Sequence, residues 1–118
     1  LVGSSMGGAT VATAAVTHSD DIRGIVLEYP AINLNPNAMV SGAPLDVNGY
    51  TGPVLIFQGT KDVIVPMEMS QKLTAHYNTL RDDHAELVIY EGQPHVFTGK
   101  YKVLAAKAIY RFLEETAS

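Results

Sequence analysis

Ser5, Asp62 and His95 are the residues of this 118-residue chain whose types and surroundings could do chemistry together. Ser5 stands inside Gly3-Ser4-Ser5-Met6-Gly7, a G-x-S-x-G sequence followed at once by Gly8-Ala9. As a turn between a short apolar strand and a helix, this pattern strains the serine backbone and pushes the hydroxyl outward. Small residues flank it because the strand and helix backbones approach closely. A serine hydroxyl is a poor nucleophile at neutral pH and needs a base to take its proton. His95, in Glu91-Gly92-Gln93-Pro94-His95, can be that base, because an imidazole titrates near neutrality and can accept and then return a proton. Asp62 can hold the other ring N–H, fixing the tautomer and stabilising the imidazolium. An oxyanion forming on an attacked carbonyl needs donors, and the backbone N–H of Met6 at the helix start is one.

Plainer readings exist for each residue. A Gly/Ser turn needs no chemistry, an Asp near a helix start is favoured by capping and by the helix dipole, and a loop histidine can be idle. Glu28 competes for the acid role from the end of the preceding strand, without the Gly-x-x-Asp turn that surrounds Asp62. Tyr29 and Met6 lie near strand ends, where Tyr29 could line a substrate pocket. His18, His76 and His84 are scattered among polar residues and read as solvated surface. No metal site and no organic cofactor is expected from them.

The elements that must position these groups alternate along the chain. Leu1 to Ser4 reads as a strand stub and Met6 to Thr17 as a small-residue helix suited to close packing on a sheet. Ile22 to Tyr29 reads as a strand buried on both faces and stopped by Pro30. Residues 31 to 52 read as loop with one short helical turn, leaving little room for a lid, so the site should be open. Val54 to Gln58 forms the next strand, Met67 to Leu80 a helix, and Glu86 to Tyr90 the last strand. Gly99 to Thr116 closes the chain as an amphipathic helix, with Tyr101, Leu104, Ala105, Ala108, Ile109 and Phe112 on its apolar stripe. Ser5, Asp62 and His95 each fall just past the carboxyl end of such a strand, where open α/β sheets bind ligands.

The elbow, the strand-Gly-x-x-Asp-x-x-Val-Pro stretch at 54–66 and the Gly-x-Pro-His loop at 92–95, in the order Ser, Asp, His, resemble the α/β-hydrolase superfamily over essentially the whole chain. The resemblance covers the C-terminal half of that fold. It implies one α/β unit over 1–118, an open, doubly wound parallel sheet of about four strands with helices on both faces. It further implies a serine carboxylesterase hydrolysing small esters through an acyl-enzyme on Ser5, with His95 and Asp62 completing the triad, and looks closest to lidless carboxylesterases and to feruloyl-type or dienelactone-hydrolase-like enzymes. A prolyl-oligopeptidase-like peptidase fragment is the alternative enzyme. A half-fold that associates without efficient turnover is the alternative outside catalysis, because the family draws its second oxyanion donor from a loop that precedes this stretch of chain.

Composition narrows the partners. A formal charge of −4 gives no basic stripe for nucleic acid, and zero cysteines excludes disulfides and thiolate metal sites. No apolar run reaches the ~20 residues of a membrane span. Leu1-Val2-Gly3 reads as strand rather than as a targeting segment, and a cytoplasmic location is expected. The edge of the strand at residues 1–4 should be covered by a second copy of the chain or by a companion chain.

Overall fold

The computed structural model describes residues 1–33, 43–44 and 47–117. Its elements run β1 (Val2–Ser4), α1 (Met6–Thr17), β2 (Ile25–Glu28), β3 (Ile32–Asn33), β4 (Ala43–Pro44), β5 (Val54–Gly59), α2 (Met67–Leu80), β6 (Ala85–Tyr90) and α3 (Lys100–Thr116). Four strands form one sheet in the order β1-β2-β5-β6, all parallel, in line with the α/β architecture expected.

The apolar runs of β2 and β5 alternate between two cores, as a strand's period of two requires. Ile25, Leu27, Val54 and Ile56 pack under α1 and α2 with Ala12, Ala15, Leu73 and Tyr77. Val26, Leu55 and Phe57 face the other way, towards Phe97 and Ala105, with Tyr101, Ala108, Ile109 and Phe112 of α3 packed against them. Helices therefore cover both faces. In α1 the buried positions are Gly8, Ala9, Ala12 and Ala15, a stripe of small side chains that brings the helix close to the sheet.

Several boundaries differ from those read in the sequence. β2 ends one residue before Tyr29, because Tyr29 turns into the left-handed region at φ 38°. β6 starts at Ala85, one residue early, where Ala85 and Asn78 exchange two hydrogen bonds of 2.9 and 3.0 Å. The 31–52 stretch is not wholly loop. Ile32 is 1% exposed within the α1/α2 core, and the backbone there pairs as β3 with β4, which meets the need of a buried chain to satisfy its polar groups. A turn closes from Tyr50 N–H to the Val47 carbonyl. The expectation that no lid covers the site concerns residues 34–42, 45 and 46, outside the described residues. Leu104 is 44% exposed rather than in the core, since it lies at the margin of the α3 stripe centred on Tyr101, Ala105 and Phe112. His84, read as surface, is 7% exposed and packs edge-on against the Tyr77 ring at 5.5 Å. Its place at the mouth of β6, under α2, buries it although its sequence neighbours are polar. His18 is exposed, and His76 meets Asn48 Oδ1 at 2.6 Å. Among the described residues no helix is long and apolar enough to cross a membrane, and no three His, Asp or Glu side chains cluster as metal ligands.

Candidate active site

The elbow is built by β1, the start of α1 and the end of β2. Ser5 adopts φ 52° and ψ −120°, a conformation that costs about 1–3 kcal/mol for a residue with a side chain and persists only where its surroundings enforce it. They do so here through three backbone hydrogen bonds. Ser5 N–H donates to the Glu28 carbonyl at 3.0 Å, while its own carbonyl accepts the N–H of Gly8 at 3.0 Å and of Ala31 at 2.9 Å. A Cβ at Gly3 would run into the Gly7 carbonyl and come within 2.6 Å of Val11 Cγ2, and one at Gly8 would come within 2.9 Å of Pro30 Cβ. Those two glycines are thus steric requirements of the tight strand-to-helix packing. Gly7 is not, since a Cβ there meets nothing within 4 Å, which corrects the simple view that every small residue around the serine is needed for space.

Asp62 and His95 come from the other side of the sheet, at the ends of β5 and β6. Gly59 lets these two ends meet, because a Cβ on it would collide with the Gln93 carbonyl. The close approach is sewn together by Thr60 N–H to the Tyr90 carbonyl (3.2 Å), Lys61 N–H to the Gln93 carbonyl (3.0 Å) and Gly92 N–H to Thr60 Oγ1 (2.7 Å). Asp62 is 8% exposed. Its Oδ1 accepts the N–H groups of Ile64 (2.8 Å) and Val65 (2.7 Å), so one oxygen ties the turn ahead of α2 and not the helix start that the plainer reading expected, where Pro66 is the N-cap and no side chain caps the helix. The other oxygen, Oδ2, faces His95 and the Gln58 amide. The His95 loop is anchored by Phe97, buried at 3% exposure, and closed by Thr98 N–H donating to Gln93 Oε1 at 3.0 Å.

The two sides converge on the imidazole. His95 Nδ1 lies 2.8 Å from Asp62 Oδ2, and Nε2 lies 2.8 Å from Ser5 Oγ. With the Nδ1 proton directed at the carboxylate, Nε2 is the acceptor for the serine hydroxyl, the arrangement in which a base can take its proton. Among the described residues no acceptor meets the Met6 N–H, which stands at the first turn of α1 beside the serine. The Met6 side chain is 59% exposed.

Glu28 forms no hydrogen bond to His95. It is half-buried at the end of β2, and desolvation pushes its carboxyl above the usual range. Tyr29 is 8% exposed and turned against the imidazole, with ring centroids 4.9 Å apart, and it meets Phe97 edge-on at 5.1 Å. Burial, then the nearby Glu28 and Asp62 charges, raise its hydroxyl above the ordinary tyrosine value. Its ring therefore bears on His95, while its use as a pocket wall is a separate matter.

Two polar side chains went unread in the sequence. Gln58 and Ser70 are fully buried behind Asp62 and hydrogen-bonded to each other at 2.6 Å. The available signal was a lone amide in the otherwise apolar run Val54-Leu55-Ile56-Phe57-Gln58.

The sequence model of the prolyl oligopeptidase family matches residues 37–118, a stretch that includes Asp62 and His95. The chain belongs to that family. Among curated proteins no sequence matches it. Its fold is shared more widely. Est1E from Butyrivibrio proteoclasticus, solved with ferulic acid bound, is 22% identical with a TM-score of 0.72 over 98% of this chain and 58% of its own. The monoacylglycerol lipase of Paleococcus ferrophilus is 20% identical, TM-score 0.73, over 96% of this chain and 66% of its own. A candidate dipeptidyl aminopeptidase IV from Bacteroides ovatus is 17% identical, TM-score 0.79, over 98% of this chain and 19% of its own. At these identities the likeness establishes the α/β-hydrolase fold. The chain spans less than two thirds of the length of the esterase and lipase structures, and covers only part of the fold that they share with this family member.

Proposed function

We propose that this chain carries the nucleophile, base and acid of a serine hydrolase acting on carboxylic esters. The observation that carries the reading is the single imidazole bridging Ser5 Oγ and Asp62 Oδ2 at 2.8 Å on each side. In the acylation step Ser5 Oγ bonds to the ester carbonyl carbon as its proton passes to His95 Nε2. The carbonyl electron pair moves onto oxygen, facing the Met6 N–H. Collapse of that tetrahedral species breaks the C–O bond to the alcohol, which leaves with the proton from the imidazolium. Water then repeats the sequence, activated by the same imidazole, and releases the acid. Asp62 stays ionised throughout and holds His95 in the required tautomer. The oxyanion needs a second donor, which we place outside the described residues.

Family membership supports a second reading, in which the acyl group is that of a peptide and the leaving group an amine. We also propose that the outer edge of β1, where Leu1 and Val2 are 50% and 46% exposed, is covered by further strands supplied by a second copy or a companion chain. The reaction is tested by treating the purified protein with a fluorophosphonate and assaying p-nitrophenyl acetate beside an aminoacyl-prolyl p-nitroanilide, with Ser5→Ala as control. Turnover of the ester with labelling at Ser5 is the expected result, and preferential turnover of the anilide would select the peptidase. Labelling without turnover of either would favour an associating half-site, and failure to label would refute the hydrolase.

A further inference from the structure

We propose that Gln58, braced by Ser70, is a positioning residue for this site, holding the Asp62 carboxylate and through it the orientation of His95. The proposal rests on the serine hydrolase reading above. Gln58 is the penultimate residue of β5, and its side chain points into the sheet–α2 interface with no exposure at all. Its Nε2 faces three oxygens, the Val65 carbonyl at 2.9 Å, the Gly59 carbonyl at 3.2 Å and Asp62 Oδ2 at 3.3 Å. Its Oε1 accepts the Ser70 hydroxyl at 2.6 Å.

This environment fixes the amide in one orientation. Turned over, it would set Oε1 against the Val65 and Gly59 carbonyls and Asp62 Oδ2, three oxygens with no hydrogen to give, and a buried amide oxygen facing only acceptors is costly. The NH2 group is thereby pinned between the strand end, the Asp turn and the carboxylate. Asp62 Oδ2 consequently takes Nε2 of Gln58 on one side and Nδ1 of His95 on the other, while Oδ1 takes the two backbone N–H groups of Ile64 and Val65. All four N–H contacts must be satisfied at once, so the carboxylate cannot swing away from the imidazole when the serine proton is transferred. Ser70 contributes through α2, packed at the same place by Leu73, so the acid is tied to the α1/α2 core as well as to its own turn.

The test uses two variants of the intact protein. In the Gln58→Leu/Ser70→Ala double variant both polar partners go together, which avoids stranding a buried hydroxyl. Its folding is followed by circular dichroism. The expected result is a kcat for p-nitrophenyl acetate lowered about 10- to 100-fold with KM little changed, since a hydrogen bond to a charged group that acts on the chemical step has been lost. In Gln58→Glu, a near-isosteric change that guards against misfolding of the double variant, two carboxyl groups share the site and hold a proton to higher pH. The acid limb of the kcat/KM profile should move to higher pH in both variants, and in the uncharged double variant that shift reports the donor lost to Asp62 alone, whereas a merely structural role would scale its rate and leave its profile in place. The low-field proton resonance of His95 Nδ1–H reports the same contact without turnover and should weaken or shift in both variants. Wild-type kcat and an unmoved acid limb in folded variants would overturn the proposal, as would a resonance identical to wild type. Failure of the wild-type protein to label at Ser5 would instead count against the hydrolase reading, and the resonance would still decide the role of Gln58.

Discussion

At the β1–α1 end of the site Ser5 is strained, at φ 52° and ψ −120°, and its hydroxyl has His95 as its one hydrogen-bond partner among the described residues. At the β5–β6 end Asp62 is unstrained, buried and held by four N–H groups. The contrast fits the roles proposed for the two groups. A nucleophile has to reach a substrate, so its support is confined to the backbone and its side chain is left free. An acid that orients a base gains nothing from reach and everything from immobility, so burial and saturated hydrogen bonding serve it best. The sheet makes both possible by presenting the two ends from strands separated by β2, with His95 spanning between them.

The largest effect should come from removing the reactive end alone. Ser5→Ala is expected to abolish fluorophosphonate labelling and to lower ester turnover by about 10⁴- to 10⁶-fold, read by steady-state rates, with no loss of thermal stability. Full labelling of the variant would place the nucleophile elsewhere. Next comes the rigid end. Asp62→Asn should lower kcat by about 10⁴-fold through the wrong imidazole tautomer, and Glu28→Gln far less. A larger loss from Glu28→Gln would move the acid to β2 and dissolve the comparison.

Two glycines sharpen it structurally. Gly59→Ala should cost about 1–3 kcal/mol of stability, because the added methyl meets the Gln93 backbone, and it should also lower kcat by displacing the His95 loop. Gly7→Ala, in open space within α1, should be neutral or stabilise by about 0.5–1 kcal/mol. Thermal denaturation of the pair gives the answer directly, and an equal loss at both would mean that the elbow is as crowded as the acid end.

The smallest expected effect is on pH. His84, at the base of β6, has its pKa lowered from the ordinary 6.5, chiefly by desolvation and then by the Arg81 charge. Above that value it is neutral folded and unfolded, so it makes no difference there. As pH falls from about 6.5 towards the lower folded value, the unfolded chain takes up the proton first, and stability is lost. The amino-terminal ends of β5 and β6, where Val54 N–H donates to the His84 carbonyl, should loosen preferentially under these conditions. Hydrogen exchange of β6 amides, expressed as protection relative to the intrinsic rate at each pH, should therefore show protection lost between pH 7 and pH 5 in the wild type and much less in His84→Phe. Matching losses of protection in both would acquit His84. Its two ring nitrogens and the Tyr77 hydroxyl have no hydrogen-bond partner among the described residues, which is why protonation there finds no compensation.

The sequence by itself determined the parallel α/β alternation and the two groups, Ser5 and Asp62, that meet at His95. Strand ends in such a sheet all point to one edge, so residues just past the ends of β1, β5 and β6 converge whatever fills the core between them. The pattern Gly-x-x-Asp placed Asp62 beside His95 because its glycine is the position where two loops cross, and that crossing is a local consequence of residue type. Tertiary structure decided what depends on neighbours distant in the chain. Gln58 stands at the end of an apolar run, and only Ser70, on the next helix, gives its buried amide oxygen a donor. Polar sequence neighbours suggested a solvated His84, but burial is set by α2 lying across it. Gly7 and Gly3 are the same letter on two sides of one serine, and only the packing of Val11 and the Gly7 carbonyl against the strand makes one of them obligatory. Residue types fix which chemistry is available and local patterns fix where the chain turns. Whether a side chain is wet, crowded or held is a property of the surfaces that the fold presses against it.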